Sequence, residues 1–194
     1  MQAECFESGR AVRLAQVEAS LKLARTAVVG GLFNAAIVAI TLWSAGPHSS
    51  IALWVFTIAG LASLRLNHAR RHARGLSTSD DPAEHERFMG LLAGVNGTMW
   101  GGSMIFGGLW ASPDQFTLLA MLTGGMMGAA IISYGPLPRV ALMYMFPLAA
   151  GSIAGWLLSS NPLAGAGTLL ILCYAVVLSR SIMASVHCRD TDSR

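Results

Sequence analysis

His68 and His72 stand four residues apart, a spacing that puts two imidazoles on one helical face, where they could hold a metal ion or a haem. Arg65, Arg70, Arg71 and Arg74 crowd round them. That much positive charge opposes a bound cation, so the pair reads better as a solvated helix end. Met99, Met104, Met121, Met126, Met127, Met143 and Met145 offer thioethers of the kind that bind Cu(I). They are spread over three apolar stretches, which suits core filling better. Ser103 and Ser152 also lie in apolar stretches, and a serine nucleophile needs a base in reach. Neither stands in a GxSG motif, and no histidine lies in those stretches. Cys5, Cys173 and Cys188 form no CxxC pair, so neither a disulfide framework nor a zinc site is expected. Cys173 reads as an apolar space-filler. No Asp, Glu, Lys, Arg or His lies in the middle of an apolar stretch, and such groups are the usual mark of ion coupling. The expectation is therefore no catalytic residue, no metal, no cofactor and no enzymatic activity in this chain.

Asn96 and Trp100 are the better candidates for a binding role. They sit in Phe88–Pro113, 26 residues without a charge, where about 20 suffice for a helix to cross a bilayer. Gly90, Gly94, Gly97, Gly101 and Gly108 recur there at spacings of three, four and seven, drawing a smooth stripe down one helical face. Gly90/Gly94 and Gly97/Gly101 are GxxxG pairs, which let a neighbouring backbone come close. Asn96, Trp100 and Ser103 lie beside the stripe, and an amide at membrane depth needs a partner. One reading is an interhelical hydrogen bond with an aromatic ring packed on glycine. The other is a small pocket for an apolar ligand or lipid, lined by Asn96, Trp100, Tyr134, Tyr144 and a kink at Pro147.

The elements that would position these residues follow from charge-free lengths. Of 194 residues, 54% are hydrophobic and 12% charged, where a soluble domain carries about 25% charged residues. Thr26–Leu64 has no charge and breaks at Gly46-Pro47-His48-Ser49-Ser50, giving helices near 27–45 and 51–64, the second running on through a basic end to Arg74. Phe88–Pro113 is the third helix, read as the centre of a bundle. Gln115–Pro138 is the fourth, with Gly124/Gly128 as a further close-packing pair. Val140–Ser179 breaks at Ser159-Ser160-Asn161-Pro162 into the fifth and sixth. Pro147 lies inside helix five, and the other prolines all fall in expected turns. Met1–Arg25 carries Arg10, Arg13, Lys22 and Arg25 between apolar residues at helical spacing, as in a helix lying on an anionic membrane surface.

The fold class expected is thus an all-α membrane protein. It has an amphipathic segment over 1–26, six transmembrane helices over 27–179 and a cytoplasmic tail over 180–194. All 13 Lys and Arg fall in the N-terminal segment, the 2–3 and 4–5 connections or the tail, which places both termini in the cytoplasm by the positive-inside rule. Arg65 and Arg139 are expected at the membrane surface, snorkelling to lipid phosphates. Pairing with an N-terminal acid such as Glu18 is the other option for them.

Arg10-Ala-Val-Arg13-Leu14-Ala-Gln16-Val17, the helix end at Arg65, Asn96-Gly97-x-x-Trp100-Gly101 and Tyr144-Met-Phe146-Pro147-Leu148 occur in an order that resembles the MASE-type membrane sensor modules. Such modules precede diguanylate cyclase (GGDEF) and sometimes phosphodiesterase (EAL) domains in bacteria. The resemblance implies a sensory input module of the inner membrane. It would form a homodimer, respond to a membrane-proximal or lipophilic ligand, contact membrane lipids and bind no nucleic acid. Its matching positions here would be Arg65, Asn96, Trp100 and Pro147. No GGDEF or EAL sequence follows within the chain. A small transporter or an accessory subunit of a larger membrane complex are the alternatives.

Overall fold

A computed structural model describes residues 23, 25–73, 82–134 and 137–192. The amphipathic segment expected over 1–26, with Glu18 and Cys5, lies outside them apart from its last few residues. Six helices and no strand occur among the described residues. They are α1 (Arg25–Leu42), α2 (His48–Ala73), α3 (Pro82–Trp110), α4 (Pro113–Tyr134), α5 (Pro138–Leu158) and α6 (Ala164–Asp192).

Proline sets most of the starts. Pro82, Pro113 and Pro138 are the first residues of α3, α4 and α5, and Pro47 immediately precedes α2. A proline there wastes no backbone donor and presets the helical φ. His48, Ser49 and Ser50, expected in a turn, therefore form the first turn of α2. Ser112 and Gln115 close a reciprocal cap at α4: the Ser112 amide donates to Gln115 Oε1 at 3.0 Å, and the Gln115 amide to Ser112 Oγ at 3.3 Å.

Two of these turns are laced to their neighbours. Gln115 Nε2 donates to the Thr41 carbonyl at 2.9 Å and to Ser44 Oγ at 3.1 Å, tying the α1–α2 turn to α4. Asn161 Nδ2 donates to the Pro113 carbonyl and to Thr117 Oγ1, each at 3.2 Å, tying the α5–α6 turn to the same place. The three connections without Lys or Arg thus meet at one end of the molecule.

The centre is a pair of helices rather than α3 alone. The contact between α3 and α5 is the most extensive in the structure. α5 has 56% of its length buried, against 22%, 17% and 22% for α1, α2 and α6. Glycine permits the pairing. A Cβ at Gly97 would strike the Tyr144 carbonyl, one at Gly101 the Pro147 carbonyl, and one at Gly108 the Gly155 carbonyl. From the other side, a Cβ at Gly151 would strike the backbone of Gly101, and one at Gly155 that of Met104. Gly90 faces the Met143 sulfur, and a Cβ at Gly94 would lie 3.7 Å from the Met143 carbonyl. Pro147 is four residues on from Met143 and has no N–H to give that carbonyl.

Gly124 takes no part in close packing, since a Cβ there would meet nothing within 4 Å. Gly128 sits against the Tyr174 hydroxyl of α6. Cys173 is exposed rather than packed inside.

α1, α2, α5 and α6 are long and apolar enough to cross a membrane. α3 is not among them, because its many glycines and Asn96 lower its hydropathy. Phe33, Ile40, Leu53, Phe56, Leu169, Leu170, Val176 and Val177 turn outward. Apolar helices with so greasy an outer surface mark a membrane protein.

Two substitutions test the seam. Gly97→Leu and Gly101→Leu each force a backbone shift and should cost about 1–3 kcal/mol or more. Gly102→Ala, whose Cβ would meet nothing within 4 Å, should be neutral or gain up to ~1 kcal/mol of helix propensity. Unfolding in detergent followed by tryptophan fluorescence measures both.

Candidate functional site

The buried face of α2 runs through Ile51, Ile58 and Arg65, each seven residues after the last. The third position carries a charge into the interior. Arg65 is 8% exposed, so it does not snorkel to lipid as its place near the end of an apolar stretch suggests. α2 instead runs straight on from Ile58 and keeps position 65 turned toward α4. There Arg65 Nη1 donates to the Tyr134 hydroxyl at 3.0 Å, and its guanidinium carbon stands 4.6 Å from the centre of the Tyr134 ring. Its Nε and Nη2 have no hydrogen-bond partner among the described residues. Tyr144 of α5 is stacked obliquely beside Tyr134, with ring centres 5.6 Å apart. The Tyr144 hydroxyl is also buried without a partner.

These groups border a cavity of about 300 Å³. Asn96, Trp100, Tyr134 and Tyr144 all line it, from α3, α4 and α5. Pro147 does not. It packs against Gly97 in the α3–α5 seam. Further wall comes from Thr26, Val28, Gly30, Gly31 and Asn34 of α1, Ile58 and Leu61 of α2, Leu92 of α3, and Met126, Ala130 and Ser133 of α4, among others. Asn34 donates weakly to the Met126 sulfur at 3.0 Å, joining α1 to α4.

Trp100 is held edge-on by Trp54, with ring centres 5.3 Å apart, while Trp54 Nε1 donates to the Met99 carbonyl at 2.8 Å. Asn96 is half-buried, and no hydrogen bond to its amide occurs among the described residues. Ser103 is spent on the Trp100 carbonyl and Ser152 on the Leu148 carbonyl, so neither is poised as a nucleophile.

His68 turns to His85 of α3, with Nε2 and Nδ1 2.9 Å apart and the rings stacked. Arg65, three residues before it, reaches α4 instead, so the inner face of this last part of α2 touches both helices. No cluster of metal-ligating side chains occurs among the described residues. Arg139 is exposed at the start of α5.

Sequence reasoning missed two parts of the site. The seven-residue run of Ile51, Ile58 and Arg65 carried the signal for Arg65. The wall from α1 had none, being made of glycine and aliphatic residues that look like any other span.

Replacing Tyr134 by Phe keeps the ring under the guanidinium but takes the acceptor from Nη1. A buried charged donor left unpaired should cost about 1–3 kcal/mol. Arg65→Met in the same chain should recover part of that loss, because both polar partners are then gone. Thermal unfolding in detergent of the two single variants and the double variant gives the comparison. Against known proteins, no family model, no curated protein and no solved structure matches this chain.

Proposed function

We propose that this chain is a sensory input module of a bacterial inner membrane. In this reading it crosses the bilayer six times, keeps both termini in the cytoplasm and binds a lipophilic ligand between α1 and the α3–α5 core. The observation that carries it is the cavity, which draws its lining from all of α1–α5 and contains buried polar groups without partners. A structural core would fill such a space or satisfy those groups.

The charge pattern supports the orientation. Arg25, Arg65, Arg70, Arg71, Arg87, Arg139 and Arg180 belong to helix ends opposite the laced turns, where Asp114 is the charge among the described residues. The cavity lies at the cationic end, next to the cytoplasm in this reading. α3 and α4 count as spans here by their charge-free lengths, Phe88–Pro113 and Gln115–Pro138. α6 supports a signalling role. Its apolar part runs Ala164–Ile182, and the helix continues to Asp192. A helix leaving the membrane can carry a change in packing to an output domain, of diguanylate cyclase type by the resemblance to MASE modules. A homodimer would pair two such helices.

Reporter fusions after Arg71 and after Ser112 should lie in opposite compartments, and fusions at both termini in the cytoplasm. A shared compartment for the two connections would end the six-span reading. For the signalling role, a dimerisation-dependent reporter fused after Arg194 should change output on Trp100→Ala and Asn96→Leu. Leu53→Ala, on the outer face of α2, should leave it at the parent level. A substrate flux in sealed liposomes would select the transporter instead.

A further inference from the structure

We propose that the cavity takes a single-chain amphiphile with a carboxylate head, and that Arg65 binds the head. The inference rests on the cavity as the ligand site and goes further by naming the ligand's chemistry.

Arg65 is the starting point. A guanidinium stays protonated in any protein environment. A buried charge therefore needs an opposite charge or a full set of hydrogen bonds. Arg65 has neither. One nitrogen reaches the Tyr134 hydroxyl, Nε and Nη2 reach nothing, and no Asp or Glu lines the cavity among the described residues. The two free nitrogens share one edge of the planar group, the edge that receives two oxygens of one carboxylate in parallel bonds. The Tyr144 hydroxyl, buried and without a partner beside Tyr134, supplies a third donor in the same wall.

Charge and volume narrow the class. Arg65 is the sole Lys, Arg or His in the lining among the described residues, so it balances one negative charge. A phosphate monoester carries about 1.5 to 2 at neutral pH and would be left in excess. A diacyl phosphodiester matches the charge but brings two chains, and a monoacyl one adds a glycerol and headgroup to its chain in a cavity of this size. The cavity's 300 Å³ is at the low end of small-molecule sites, which span roughly 300–1,000 Å³. Beyond the head the walls are Val28, Ile58, Leu61 and Leu92, suited to methylenes. Gly30 is exposed and lines the cavity, so part of the α1 wall is bare backbone between it and the outside. The head would sit at the cationic end of the molecule and the chain would run inward.

The test uses the full chain in lipid nanodiscs and radiolabelled palmitate as the probe. Saturable binding is expected, displaced by unlabelled palmitate but not by hexadecanol. Arg65→Gln should weaken it by roughly tenfold or more. Gly31→Leu should weaken palmitate as well while the fold stays intact, since a Cβ at Gly31 meets nothing within 4 Å and the added side chain occupies the cavity. Unchanged affinity in Arg65→Gln, with Gly31→Leu still weakened, would overturn the carboxylate assignment and leave the cavity standing. Hexadecyl phosphate displacing the probe better than palmitate itself would also overturn it. If Arg65→Gln does not fold, the parent chain decides: equal displacement by hexadecanol and palmitate rejects the role of the charge. Binding untouched by Gly31→Leu would reject the cavity and the assignment together.

Discussion

The backbone-to-backbone approach of α3 and α5 is the constraint on which everything else in this molecule rests. Between helices in lipid there is no hydrophobic gain to be had, since acyl chains are as apolar as leucine. What holds such helices is dispersion over a close fit, and fit is set by the smallest side chains. Gly97, Gly101 and Gly108 on one side, Gly151 and Gly155 on the other, remove the side chains that would keep the axes apart. The remaining helices attach to this pair. α6 and α4 pack on α5, and α2 packs on α3. α1 buries Ala35, Val38 and Leu42 in the common core and adds polar contacts, Asn34 to Met126 and Gln115 to Thr41. Gly30 and Gly31 of α1 face this seam across the cavity and leave the space between them open.

That space explains the unusual position of Arg65. A cation carried inward by helix periodicity would ordinarily be replaced or paired. Here it rests on the face of Tyr134 and shares its hydroxyl, which lowers the cost of burial without neutralising the charge. Asn96 and Tyr144 border the same cavity, and the Tyr144 hydroxyl is buried there with no partner among the described residues. A run of such residues is costly to keep, and its place round one cavity is the strongest functional feature of the fold.

Much of the architecture is legible in the sequence, for a simple reason. Charge-free runs and prolines report on length and breaks directly, so the helices and turns lie close to where the composition puts them. The stripe of Gly90, Gly94, Gly97 and Gly101 is visible as a pattern, but its partner is not. Gly151 and Gly155 meet it only because α4 reverses the chain and brings α5 alongside. Asn96, Trp100, Tyr134 and Tyr144 stand out as polar or aromatic residues in apolar stretches, and they lie round one cavity. Pro147 stands out as well, yet belongs to the seam. Arg65 is misplaced by counting residues to the end of a hydrophobic run. Its direction is decided by the helical face, and the face was set fourteen residues earlier by Ile51.

The laced turns carry one more consequence. Gln115 and Asn161 clamp three connections together at the end of the molecule far from Arg65. Rods pinned at one tip splay at the other. Movement of the helices is therefore freest at the end that carries Arg65 and Tyr134.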